Sequence, residues 1–125
     1  MKLNTRLHGR IRYQTWVRVI PKAGAGLLSH IEDISTAGLG LEHDQPMATD
    51  IECHVYFMLP LYGTEHIVQA RCRIAGCRPT ETPGRYHLGL AFIDFVSDPR
   101  ATSELIDAFV DHLNATQSDP PAQAS

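Results

Sequence analysis

RYHLGLAFIDFVSDPRATSELIDAFVDHLN, Arg85 to Asn114, changes its period part-way along. Up to Phe95 the apolar residues alternate: Tyr86, Leu88, Leu90 and Phe92 share one face, and Gly89 lies on the other, where a neighbouring backbone can come close. From Asp98 onward Leu105, Ile106, Phe109, Val110 and Leu113 recur at helical spacing and form one apolar stripe. Asp98 suits an N-cap and Pro99 the first helical position, so the spacing predicts a strand followed by an amphipathic helix ending near Asn114.

The chain upstream reads as more strands. YQTWVRVI, Tyr13 to Ile20, is aromatic and β-branched and stops at Pro21, with a flexible KAGAG turn after it. LLSHIEDI, Leu27 to Ile34, runs into the turn residues Ser35, Thr36, Ala37 and Gly38, and GLGLEH follows as a short extended piece. In IECHVYFM, Ile51, Cys53, Val55 and Phe57 form one face, and Pro60 is expected to end the strand. EHIVQARCRIAGC sets Val68, Ala70, Cys72 and Ile74 against a more polar face carrying Arg71 and Arg73. Six short strands and one helix to cover them predict a mainly β fold: a small six-stranded antiparallel β-barrel with one C-terminal amphipathic α-helix. Residues 115–125, ATQSDPPAQAS, lack an apolar pattern and are expected to be a disordered tail.

The chain of 125 residues has room for one domain, and its 43% apolar and 20% charged residues fit a globular one. Its formal net charge of -3 argues against an extended polyanion binder. That total conceals a gradient: residues 1–22 carry +6 with no acid, 23–70 carry -7 with no base, 71–93 carry +3 and 94–125 carry -5. The basic arm at residues 1–12 and the acidic end suggest a local anionic partner. The polar start MKLNTRLHGR lacks a secretory signal, and no stretch approaches the roughly 20 apolar residues of a membrane span. A cytoplasmic protein with reduced thiols is therefore expected.

Few residues suggest chemistry. Cys53, Cys72 and Cys77 have neither zinc-ligand spacing nor a catalytic setting, and Cys72 falls on an apolar face, so buried thiols and no metal are expected. Ser35 lacks a nucleophile elbow. Glu32 and Asp33, as strand neighbours, are expected on opposite faces and so unable to act as an acid/base pair. No enzyme is expected. Acidic residues 23–70 and only nine aromatics likewise argue against a channel for single-stranded DNA or RNA.

Two short motifs remain. Arg6 and Arg10 stand four apart in the basic arm, and after 22 intervening residues Asp33-Ile34-Ser35-Thr36-Ala37-Gly38 closes a strand. Alone, the hexapeptide reads as a turn, with Asp33 and Ser35 making local hydrogen bonds and Gly38 supplying an unusual dihedral. Together, RxxxR, DxSxxG, GLGLE directly after it and the YHLGLAF strand resemble the PilZ domain, a family of bacterial receptors for cyclic di-GMP, from about Thr5 to Asn114.

The resemblance implies a ligand, cyclic di-GMP, and no cofactor. Arg6 and Arg10 would grip phosphate or the guanine O6/N7 edge, which suits a forked guanidinium. Asp33 would accept from the guanine N1-H and N2-H groups, Ser35 would bond phosphate or a base amine, and Gly38 would let the ligand approach the backbone. Arg12, Arg71 and Arg73 are further candidate contacts. Thr5 stands where relatives often carry another basic residue, a position that bears on whether one nucleotide or a stacked pair binds. The resemblance also implies an arm that folds over the nucleotide and a downstream protein partner in motility, adhesion or biofilm output, with no membrane insertion. The alternative is a PilZ-like adaptor that binds proteins and no nucleotide, although such relatives generally lack both motifs.

Overall fold

The computed structural model describes residues 11–22 and 24–117. Six strands, β1 (Ile11–Pro21), β2 (Leu27–Ile34), β3 (Gly38–His43), β4 (Glu52–Leu61), β5 (Thr64–Pro79) and β6 (Tyr86–Phe95), precede one helix, α1 (Pro99–Gln117). The strands close into an antiparallel barrel in the order β1-β2-β3-β6-β5-β4. Pairing of Val17–Pro21 on β1 with Cys53–Phe57 on β4 closes the barrel, so most of the strand length has a partner on both sides.

Alternation along the strands builds the interior. Val17 and Val19 from β1, Cys53, Val55, Phe57 and Leu59 from β4, Val68, Ala70, Cys72 and Ile74 from β5, and Leu88 and Leu90 from β6 are all buried. The stripe on α1 completes it, with Ile106, Phe109 and Val110 buried. The Tyr13 ring meets Phe109 edge-on at 4.8 Å, and its hydroxyl donates to the Met58 carbonyl at 2.9 Å. Burial raises the Tyr13 phenol above its ordinary pKa, so it stays a neutral donor. The helix starts as its sequence predicts: the Asp98 carboxylate accepts from the Ala101 N–H at 3.2 Å.

Three boundaries differ from the sequence reading. β1 begins at Ile11, so Arg12 belongs to the barrel wall and not to the arm. β4 continues through Pro60 to Leu61, because there β4 pairs with β5 alone and a residue without an N–H is tolerated. The hairpin turns at Tyr62 and Gly63, whose φ of 53° and 77° are both left-handed, as a two-residue turn of this twist requires. Finally, α1 runs to Gln117, and the Thr116 hydroxyl donates back to the His112 and Leu113 carbonyls near its end, so residues 115–117 are helical.

Candidate functional site

The site is best built from the turn between β2 and β3. Ser35 is 2% exposed, and its hydroxyl oxygen accepts from the Ala37 N–H at 3.1 Å and the Gly38 N–H at 3.2 Å. Its own N–H donates to the Gly38 carbonyl at 2.9 Å, and the Phe92 N–H ties Ala37 to β6 at 2.9 Å. Ser35 therefore sets the shape of the motif from inside it. Gly38 does not adopt a left-handed φ, contrary to the unusual dihedral expected of it. It must be glycine because a Cβ there would collide with the Leu90 carbonyl on β6.

Asp33 stands differently. Ile31 pairs with Leu41, and the next pair along the ladder is Asp33 with Gly40, so Glu32 is an extra residue in β2. The bulge leaves Ile31 and Ile34 both in the core, with Glu32 and Asp33 between them half-exposed. This corrects the expectation that two neighbouring carboxylates on a regular strand point to opposite faces. Glu32 is engaged by the Gln14 amide at 2.9 Å and lies 3.4 Å from His30. The Asp33 carboxylate covers Gly40, where a Cβ would collide with it.

Across the strands, Asp33 belongs to one continuous row. Arg12 on β1 is its partner on one side, and Gly40 on β3 its partner on the other. Gly40 pairs with Gly89 on β6, and Gly89 with Gly76 on β5. Three glycines on adjacent strands make a floor without side chains about 10 Å across, at the usual strand spacing of about 4.8 Å. Among the described residues, no atom beyond its chain neighbours lies within 4 Å of where a Cβ would stand at Gly76. At this end a cavity of about 320 Å³ is lined by Gly76, Cys77, Arg78, His87 and Gly89. The sequence reading did not include Gly40, Gly76, Arg78 or His87 among the site residues. The signal was present in the glycines that interrupt GLGLE and YHLGLAF at outward positions, yet only strand pairing aligns them.

The other predicted arginines do not join this row. Arg71 is held between two carboxylates, donating to Asp94 at 2.8 and 3.2 Å and to Glu52 at 3.1 Å. The Arg71 hydrogen bonds lower the Asp94 carboxyl below its ordinary pKa, and those to Asp94 and Glu52 raise that of the guanidinium. Arg73 pairs with Asp50 at 3.2 Å. Arg6 and Arg10 lie outside the described residues, although the chain delivers Arg10 two positions before Arg12. Among the described residues no cluster of His, Cys, Asp and Glu could hold a metal, and no helix is long and apolar enough to cross a membrane. Cys53 and Cys72 face each other across β4 and β5 as free thiols; burial pushes Cys53 up to about 11, and Cys72 is also raised.

A six-stranded antiparallel barrel with one C-terminal helix, carrying DxSxxG at its β2–β3 turn, is a PilZ-type fold. The sequence profile of the PilZ domain matches residues 4–111, and the chain belongs to that family. Solved structures share the fold. The inhibitor of motility MotI/DgrA of Bacillus subtilis aligns with a TM-score of 0.66 at 9% identity, over 88% of this chain and 51% of that one. MrkH of K. pneumonia in its apo state gives 0.64 at 15%, over 88% and 50%. PlzA of Borreliella burgdorferi in complex with c-di-GMP gives 0.52 at 12%, over 94% and 50%. The chain thus spans about half the length of these three. No curated protein matches it.

Proposed function

We propose that this chain is a cyclic di-GMP receptor that acts on another protein through a changed surface. The reading rests above all on Arg12 and the Asp33 carboxylate being cross-strand partners beside the glycine floor, with Arg6 and Arg10 just upstream on the same strand of chain. A guanine presents donors that suit Asp33 and an O6/N7 edge that suits a guanidinium, and a flat base needs the open floor that Gly89 and Gly76 provide beside the Asp33-covered Gly40. Ser35 and Gly38 contribute by holding Asp33 and the floor in register; Ser35 bonds within its own turn. Arg78 and His87 join the candidate contacts, whereas Arg71 and Arg73 would first have to leave their carboxylates.

Charge-assisted hydrogen bonds contribute roughly 1.5–3 kcal/mol each, and a dissociation constant near 1 μM needs about 8 kcal/mol. Two or three arginines, Asp33 and base stacking reach that range, less the cost of ordering residues 1–10. In this reading the arm folds over the nucleotide, neutralising its charge and creating or masking an interface inside the cytoplasm. The output is motility, adhesion or biofilm formation.

Titration calorimetry tests the receptor reading. Intact protein is expected to bind cyclic di-GMP at or below micromolar concentration. Arg6→Ala with Arg10→Ala is expected to abolish binding, and Asp33→Ala to weaken it by about 10- to 150-fold. Absence of heat at about 100 μM ligand would leave the adaptor reading in its place. Unchanged hydrogen exchange at residues 1–12 under saturating ligand would remove the arm from the mechanism.

A further inference from the structure

On the barrel wall formed by β2, β1, β4 and β5, large apolar side chains stand in solvent. Trp16 is 61% exposed, Leu28 59%, Ile67 67% and Met58 39%. They are neighbours through the sheet: Met58 pairs with Ile67, and Arg18, two residues after Trp16 on the same face, lies between its register partners Leu28 and Tyr56. Between them is a mostly apolar cleft of about 270 Å³. Trp16 meets His30 edge-on at 5.0 Å and 86°. A contiguous apolar area of this kind on a small domain marks an interaction surface.

Charge determines what would cover it. Among the described residues, Arg18 forms no ion pair and no side-chain hydrogen bond. The acids beside the patch are already engaged: Glu32 by Gln14 and His30, Glu42 by Arg85 at 2.9 Å, and Asp44 by His43 at 3.5 Å. A cation ringed by apolar side chains is matched by a carboxylate ringed by apolar side chains. A second copy of this chain docked about a two-fold axis here would bring two Arg18 groups together. An anionic lipid surface calls for a cluster of about four or more basic residues, and this patch offers one.

We propose that the Trp16–Leu28–Met58–Ile67 face is a docking surface for a segment of another protein that carries an acidic residue among large apolar side chains, the acid pairing with Arg18. The surface operates without nucleotide, so its test is separate from that of the receptor reading.

A random peptide library of about twelve residues, panned on the nucleotide-free protein, provides the probe. Enriched peptides are expected to place Asp or Glu between Leu, Ile, Phe or Trp, and Trp16→Ser is expected to weaken a representative peptide about tenfold or more. Ile67→Ser provides a second variant should the first lose its melting transition. Replacing the peptide's acid by its amide is expected to cost about tenfold against the unmodified protein and less than about twofold against Arg18→Gln. No enrichment, peptides without an acid, or an equal loss against both proteins would overturn the proposal. So would Trp16-dependent sedimentation with vesicles of phosphatidylglycerol and phosphatidylcholine, which assigns the face to lipid. Trp16-dependent dimers at about 100 μM would instead assign it to self-association.

Discussion

The middle and the end of β5 carry similar residues with opposite availability. At mid-strand Arg71 and Arg73 are held by Asp94, Glu52 and Asp50. Toward its end the strand is stripped to Gly76, with Arg78 beside the cavity and, among the described residues, without an ion pair or side-chain hydrogen bond. Arginine alone therefore says little about a binding site. What decides is whether carboxylates on the flanking strands already occupy it, and whether the neighbouring floor leaves space for a ligand.

The glycines sharpen the same contrast, and the largest effect is expected where one is needed for packing. Gly38→Ala forces a Cβ into the Leu90 carbonyl, a collision with backbone that cannot rotate away. It should lower stability by about 2 kcal/mol or more and the thermal midpoint by about 8 °C or more, measured by circular dichroism. Ser35→Ala comes next. It removes the acceptor of the part-buried Ala37 N–H and the buried Gly38 N–H and should cost about 1–3 kcal/mol, with nucleotide affinity falling as the turn loosens.

Gly76→Ala is the counterpart to Gly38→Ala. Its Cβ would meet nothing within 4 Å, so stability should hold or rise by about 0.5 kcal/mol while affinity for cyclic di-GMP drops. If affinity stayed the same, the floor would not be part of the site.

The smallest effect is expected at the occupied middle of β5. Arg71 holds the Asp94 carboxyl below its ordinary pKa, so the pair's contribution is present above about pH 4 and is lost as the pH falls through the lowered value. Asp94→Asn should flatten the acid limb of a stability-versus-pH curve below about pH 4 and leave nucleotide affinity unchanged. A gain in affinity would mean that freed Arg71 reaches the ligand and would erase the distinction between the middle and the end of β5.

Much of the barrel was legible because alternation and helical spacing are local. Val68, Ala70, Cys72 and Ile74 read as an inward face and are one, and Asp98 read as a cap and is one. The bulge at Glu32 was not legible, because an extra residue in β2 shows only against Leu41 and Gly40 of its partner. For the same reason the motif names the Asp33 carboxylate and not its neighbours: Gly40, Gly89 and Gly76 meet only through pairing across β3, β6 and β5. Ser35 also reads as a turn residue in the sequence, and its hydroxyl oxygen accepts from two nearby N–H groups, which leaves its O–H as a donor.

The cysteines divide along the barrel wall in a way that makes the protein its own reporter. Cys53 and Cys72 are sealed in the interior with raised pKa values, whereas Cys77 is partly exposed and lines the cavity beside Gly76. A thiol-reactive fluorophore offered to the native fold would therefore attach at one position, on the rim of the floor, without engineering of the sequence. Emission from that label would register a molecule arriving at the floor in real time, and protection of Cys77 from labelling would register the same event without a dye.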